Sequence, residues 1–359
     1  MKTAEGSLEI LKGQFLFQST FSFPLEGVVS LFGASGCGKT TFIRYLAGLE
    51  KKTKGNLKVG GKIWQDSSQK IFLPASKRDI GYVFQGRSLF SHLNVYDNLL
   101  YGLKRRGDLK EAKQDCEEAI NRLKLGGLLK QRPWELSGGQ YQKVALARAC
   151  LSNPKILLMD EPFSSLDEVS KNESLSFLKK ILKKKNIPTL YVGHQLKDVA
   201  NICDSMILMD RGEIKRYGAI NDLLTNLALP LAYRDEACSV LSAEVIGHDR
   251  EFGLSHLRLK SGLLSIPKIR PKGTILKVGF FAKDVGLSGS LEKASSILNQ
   301  LEAKVLETSG VDDAQMVVKC ETGGQTLLAR ITRKSGAKLG ITPGKKVFVK
   351  MKAISAFLQ

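Results

Sequence analysis

The sequence predicts an α/β domain built on a parallel sheet, followed by a smaller all-β domain. Three observations predict it. Apolar runs at 28–32 (VVSLF) and 156–159 (ILLM) have the unbroken hydrophobicity of strands covered on both faces. Helix-patterned segments such as 109–125 and 142–149 lie between and around them. Beyond residue 230 the pattern changes to short alternating runs at 240–246, 254–259, 275–281, 304–307, 315–320, 326–331 and 346–351. These are separated by Gly, Pro, Asn and Asp, as in small barrels. The expected domains are therefore 1–230 and 231–359, and 359 residues suffice for one large core and one smaller one.

Composition excludes several classes. Hydrophobic residues make up 43% and charged residues 25%, ordinary for a folded soluble chain. No apolar run approaches the roughly 20 residues of a spanning helix. The opening residues, MKTAEG, have no apolar signal core, so secretion is not expected. Six cysteines, at 37, 116, 150, 203, 238 and 320, include no CxxC pair and read as reduced thiols. The net charge is +20, and residues 231–359 hold 20 basic and 12 acidic side chains, so the excess is spread over both domains. Such a balance suits a solvated surface, nucleic acid or an anionic membrane face. Aromatic residues are only 7%, with no interleaved RNA-binding signature, so no nucleic acid is expected as a partner. The lysines at 179, 180, 183, 184 and 185 surround Ile181 and Leu182 and read as the wet face of an amphipathic helix.

In chain order, Phe15, Phe17 and Phe21 alternate as a half-buried strand requires. The run 28–32 then enters Gly33-Ala34-Ser35-Gly36-Cys37-Gly38-Lys39-Thr40-Thr41, and a helical pattern follows at 42–46. This is G-x-x-x-x-G-K-[ST] in a strand–loop–helix setting. Its glycines let backbone amides turn inward on phosphate oxygens, and the next helix adds its positive end. Lys39 is placed to reach the β- and γ-phosphates and Thr40 to hold Mg²⁺. The strand 156–159 ends in Asp160 and Glu161, at the carboxyl edge where such sheets bind ligands. Asp160 is the second Mg²⁺ candidate, and Glu161 is placed to polarise an attacking water. Between these landmarks, Leu136-Ser137-Gly138-Gly139-Gln140 opens a helix that Ser137 can cap, with two glycines that admit an anion.

This pentapeptide resembles the signature motif of ABC ATPases, and further positions agree in order. Gln85 matches the glutamine loop, the run Ser165-Leu166-Asp167 matches the loop after the general base, and His194 matches the switch histidine. Two departures are Gly193 in place of Ser or Thr and Gln195 in place of an acid. The resemblance implies a homodimer in which each ATP lies between one copy's loop 33–41 and the other's Ser137-Gly138-Gly139-Gln140. It implies catalytic roles for Glu161, His194 and Gln85, with Gln85 also near the metal, and a helical subdomain at about 87–150. An aromatic residue that stacks on adenine is also implied, and Phe15 is the candidate. The run 87–98 is implied to receive an integral membrane permease. Leu89, Phe90 and Leu93 either line that groove or belong to the core.

Residues 295–355 resemble the Mop-type oxyanion-binding barrel through Ser296-Ile297-Leu298-Asn299-Gln300-Leu301, the run 323–332, the run 339–344 and the run 351–355. The whole chain thus resembles the ATP-binding subunits of bacterial molybdate importers. That likeness implies a peripheral protein on the cytoplasmic face of the inner membrane, served indirectly by a substrate-binding protein. An Arg common in that family is Leu298 here, which puts oxyanion binding by the barrel in question. Ser296, Thr332, Ser335 and Lys352 are the candidate oxyanion ligands. Two alternatives remain: an importer ATPase for sulfate, iron, a sugar or a polyol, and a soluble nucleic-acid-handling ATPase.

Overall fold

A computed structural model describes residues 3–51, 53–104, 109–292 and 294–358. The chain forms two compact units, Met1–His194 with Cys203–Tyr217, and Gln195–Ile202 with Gly218–Gln359. The sequence boundary at 230 and this division differ by the segment 218–230 and the short stretch 195–202. That stretch follows His194 and counts with the second unit.

The first unit carries β1 (Thr3–Lys12), β2 (Phe15–Pro24), β3 (Val28–Gly33), α1 (Lys39–Leu46), β4 (Lys54–Val59), β5 (Lys62–Asp66), β6 (Ile71–Phe72) and β7 (Ile80–Val83). Then come α2 (Val95–Lys104), α3 (Leu109–Arg122), α4 (Gly138–Leu151), β8 (Ile156–Asp160), α5 (Glu168–Lys185) and β9 (Thr189–Val192). Past α6 (Leu196–Ile202) of the second unit, it regains β10 (Ser205–Asp210) and most of β11 (Glu213–Ala219). One sheet runs β11-β10-β3-β9-β8-β7, with parallel pairing from β10 to β7. Every residue of β8 and β9 is buried, as the unbroken apolar runs require. A second, antiparallel sheet runs β2-β1-β4-β5-β6. The two sheets close on one core in which Phe17, Phe21, Phe42, Leu57 and Leu158 are buried together. Arg78 is buried there and donates from Nη1 to the Tyr45 and Leu46 carbonyls at 2.8 and 2.9 Å, satisfying the C-terminal end of α1.

The segment 87–151 is mainly helical, with α2, α3 and α4 in it. The lysine-rich helix, α5, is only partly wet. Its buried stripe is Ser174, Leu175, Phe177, Leu178, Ile181 and Leu182. Beside that stripe Lys180 pairs with Glu118, and Lys184 and Lys185 both pair with Asp115 of α3. These lysines dock one helix on another, an outcome the charge pattern alone did not contain.

The second unit continues with α7 (Ile220–Leu224), β12 (Cys238–Asp249), β13 (Leu254–Leu259), β14 (Gly262–Ile266), β15 (Ile275–Phe281), β16 (Val285–Ser288), β17 (Asn299–Gly310), β18 (Gln315–Thr322), β19 (Gln325–Thr332), α8 (Arg333–Leu339), β20 (Lys346–Met351) and β21 (Phe357–Leu358). Its sheets run β14-β13-β12-β15-β21 and β16-β20-β17-β18-β19, with antiparallel pairing among the described residues. Both sheets feed one core holding Leu241, Leu257, Val278, Val305, Val318 and Val349. The seven runs read from the sequence are seven of these strands. β14, β16, β21 and α8 are additional short elements.

Candidate active site

The phosphate loop is shaped by where side chains cannot go. A Cβ on Gly33 would lie 2.3 Å from the Met209 carbonyl oxygen. Gly38 has φ +103°, and a Cβ there would meet Phe17 Cδ2 at 2.7 Å. Gly38 is also the N-cap of α1 and brings no side chain to occupy the first-turn amides, so these stay open to an anion. Lys39 Nζ folds back to donate to the Gly33 and Ala34 carbonyls at 2.9 and 2.8 Å. Burial pushes the Cys37 thiol up, against the opposing pull of Lys39, so Cys37 is a neutral packing group. Phe15 is half-buried, with its Cζ 3.1 Å from the position a Gly38 Cβ would take, so it edges the loop. Phe17 and Phe21 are core residues: Phe17 stacks on Phe42 at 5.9 Å, and Phe21 meets it edge-on at 5.0 Å.

At the end of β8, Asp160 is 2% exposed and accepts from Thr40 Oγ1 at 3.3 Å. Burial pushes its carboxyl up, and the neighbouring Glu161 charge adds to this, while Thr40 and Lys39 oppose it. A buried carboxylate beside a hydroxyl is the hard oxygen donor set that Mg²⁺ prefers, so these residues fit that ion. Glu161 has φ +48°, unusual for a residue with a side chain, and its N–H donates to the Val192 carbonyl at 3.1 Å. Its Oε2 accepts from Gln85 Nε2 at 3.0 Å, and its Oε1 lies 3.8 Å from His194 Nδ1. The His194 side chain is 56% exposed and faces solvent. Thr40, Arg44, Tyr82, Gln85 and Asp160 line a cleft of about 410 Å³. Gly193 has a local cause: a Cβ there would sit 2.4 Å from the Tyr191 ring.

The signature run is built as a helix start. Ser137 Oγ accepts from the Gln140 N–H at 3.3 Å, and Gln140 Oε1 accepts from the Ser137 N–H at 2.9 Å, a reciprocal capping box. Among the described residues, no hydrogen bond joins these two side chains to the phosphate loop. The glycine pair instead faces the segment after Glu161. A Cβ on Gly138 would be 3.6 Å from Ser165 Cβ, and one on Gly139 would be 3.3 Å from Leu166 Cδ2.

Sequence reasoning missed Gln142. Its amide donates to Ser164 Oγ at 2.9 Å and accepts from the Ser165 N–H at 3.0 Å. The available signal was a polar residue on the buried side of an otherwise apolar helix. Asn98 and Arg148 were missed as well. Asn98 is fully buried and bonds the backbone of Phe90, Leu93 and Asn94, while Arg148 Nη2 donates to the Ser88 carbonyl at 3.0 Å. Of the three apolar residues left open above, Leu89 is core, with its N–H donated to Tyr141 Oη. Phe90 is half-buried, 4.2 Å from the Tyr101 ring and 4.8 Å from the Arg148 guanidinium, and Leu93 is half-buried too.

In the second unit the four oxyanion candidates have a different surrounding. Thr332 caps α8, accepting from the Ser335 N–H at 3.1 Å, and the two hydroxyls are 2.9 Å apart. Ser296 and Lys352 are exposed near the paired positions Asn299 and Met351, and Leu298 is 58% exposed beside them. Asn299 is buried and bonds both the N–H and the carbonyl of Ser265, at 2.6 and 3.1 Å, clipping β17 to β14.

Residues 16–164 match the family described as ABC transporter, and residues 295–356 match the TOBE domain. The chain is 40% identical over 344 residues to "Molybdenum import ATP-binding protein ModC 1" of Azotobacter vinelandii, covering 95% of each chain. It is 42% identical over 331 residues to the molybdenum import ATP-binding protein ModC of Albidiferax ferrireducens, covering 92% of this chain and 89% of that one. Among solved structures, a dimeric ATP-binding cassette in a post-hydrolysis state with ADP and Pi is similar with a TM-score of 0.51 and 26% identity. That likeness covers 61% of this chain and 99% of the other. Identity at this level, running from the phosphate loop through the C-terminal barrel, makes the chain a member of the ModC family of ABC transporter ATP-binding proteins.

Proposed function

We propose that this chain is the ATP-hydrolysing subunit of a molybdate importer, acting as a homodimer on an integral membrane permease. The observation that carries the ATPase reading is the convergence of Gln85, Glu161 and His194 beside the Thr40–Asp160 pair. The likeness to molybdenum import proteins favours molybdate over sulfate, iron, a sugar or a polyol. No helix among the described residues is long and apolar enough to cross a membrane, which suits a peripheral subunit on the cytoplasmic face of the inner membrane. A substrate-binding protein would deliver the oxyanion on the other side.

Residues 1–230 would supply the motor, with the helical subdomain at about 87–150, and 231–359 a regulatory region with its Mop-like part at 295–355. Lys39 leaves its two carbonyls to meet the β- and γ-phosphates, and the amides of loop 33–41 surround them. Phe15 stacks on the base. Thr40 and Asp160, with Gln85 near, would hold Mg²⁺, which would supply charge neutralisation for the phosphates. Glu161 orients the attacking water and accepts its proton. His194 touches the γ-phosphate and Gln85 holds the Glu161 carboxylate in line. Ser137, Gly138, Gly139 and Gln140 of the second copy close over the same phosphate.

Reconstitution with the permease in liposomes tests this reading. ATP hydrolysis is expected to rise with molybdate-loaded binding protein and not with the sulfate-loaded form. Equal stimulation by both would remove the molybdate assignment and leave the ATPase.

A further inference from the structure

We propose that Gln142 is a positioning residue that ties the hydrolytic loop of one ATP site to the signature motif serving the other. The inference rests on the head-to-tail dimer proposed above. In that dimer Glu161 acts on the ATP held by its own chain, whereas Ser137 acts on the ATP held by the partner copy.

Within one chain these two parts are fastened together. From Glu161 the backbone runs through two successive turns, Ser164 N–H to the Glu161 carbonyl at 3.3 Å and Leu166 N–H to the Phe163 carbonyl at 3.2 Å. Asp167 then caps α5 by accepting from the Ser170 N–H at 2.9 Å. The segment is therefore short, bonded at each step and continuous with a helix. Gln142, on the first turns of α4, is 9% exposed and spends both ends of its amide on the segment's centre: Nε2 on Ser164 Oγ and Oε1 on the Ser165 N–H. The glycine pair of the signature motif lies against Ser165 and Leu166 of the same segment, where a Cβ on Gly138 would be 3.6 Å from Ser165 Cβ and one on Gly139 only 3.3 Å from Leu166 Cδ2.

A displacement of Glu161 on hydrolysis is thus passed to the helix end that grips the partner's γ-phosphate. Sliding the two parts would leave the buried Gln142 amide without its bonds to Ser164 and Ser165, so moving them together costs less than separating them. By linkage, the partner's ATP then influences Glu161 by the same factor.

The chemistry of the tie sets the test. Gln142→Glu keeps an acceptor for the Ser165 N–H, and Ser164 can rotate its hydroxyl to donate to the second carboxylate oxygen. Gln142→Leu has similar bulk and makes neither bond. Steady-state ATPase of the full chain is expected to show a Hill coefficient above one for ATP in the parent, close to the parent value in Q142E, and one in Q142L. Q142L is expected to keep the parent affinity for an ATP analogue at a single site. Q142L with undiminished cooperativity would overturn the tie while leaving the dimer reading intact. A parent that is itself non-cooperative, with no ATP-dependent dimer by sedimentation, would overturn both. If Q142L fails to fold, Q142E decides the matter: a Hill coefficient of one in a folded Q142E also overturns the proposed bonds.

Discussion

The two units spend their polar side chains differently. In the first, groups at the carboxyl edge of the parallel sheet face one another in a cleft: Thr40 on Asp160, Gln85 on Glu161, and His194 close by. Asp160 is held in a buried place that its charge resists, and Glu161 sits in a left-handed conformation. Both are costs that a fold retains where function needs them. In the second unit, polar groups of the Mop-like run are used for construction. Asn299 clips two strands, Thr332 and Ser335 start a helix, and Thr322 bonds Ser261 Oγ and the Glu302 carbonyl, each at 2.7 Å. A motif can therefore match a family in both units while its bonded polar groups meet in a cleft in one and hold strands and a helix start in the other.

The largest effect that sharpens this contrast is at Glu161. Glu161→Gln keeps the bond to Gln85 and loses the base, so ATP hydrolysis should fall on the order of 10²–10⁴-fold. The variant should then accumulate as an ATP-dependent dimer in sedimentation. Parent-rate turnover would show that the strained acid of the first unit is as structural as Asn299 of the second. Next comes the loop. Gly38→Ala forces a Cβ into a φ of +103° and against Phe17, which should cost about 1–3 kcal/mol in urea unfolding and abolish ATP binding measured by calorimetry. Wild-type binding by G38A would mean that the loop's shape is not set by its glycines.

Much of the first unit was legible because its determinants are local. Unbroken apolar runs specify β3 and β8, and the glycine spacing specifies the phosphate loop. The strained backbone of Glu161 was not legible, since its N–H is bonded to Val192, on a neighbouring strand 31 residues away in the chain. Nor was the role of Gln142, whose partners Ser164 and Ser165 lie 22 and 23 residues away, too far for any local spacing to pair them. The paired lysines of α5 were read as solvated because nothing local names Asp115 as their partner. In the second unit the longer strands announced themselves by alternation, while β14, β16 and β21, two to five residues long, are too brief to show a period.

Asp115 provides a middle-sized test of how the helical segment is attached. Its side chain is only 3% exposed. Burial pushes the carboxyl up, but hydrogen bonds from Lys184 and Lys185 more than offset this and hold it below the usual carboxylate range. Its contribution is therefore complete above the ordinary carboxylate pKa and is lost as pH falls through the depressed value. Asp115→Ala should cost about 2 kcal/mol at neutral pH, below the usual figure for a broken buried pair because Lys184 is partly in water. The difference from the parent should shrink below about pH 4. A deficit that is constant with pH would show that the residue acts by packing and not by charge.

The smallest effect probes the barrel. Thr332 Oγ1 accepts from the Ser335 N–H as the N-cap of α8, and a cap of this kind is worth about 1 kcal/mol. Thr332→Ala should lose that much in urea unfolding, and Thr332→Asp should recover it, because a carboxylate caps as well. An oxyanion site would respond differently: an added carboxylate repels molybdate, so T332D would lose any heat of molybdate binding that the parent full chain gives in calorimetry. If the parent gives heat and T332D keeps it, Thr332 is a builder like Asn299. If T332D is fully stable and the heat disappears, the hydroxyl faces the anion, and the contrast between the two units narrows to their strain alone.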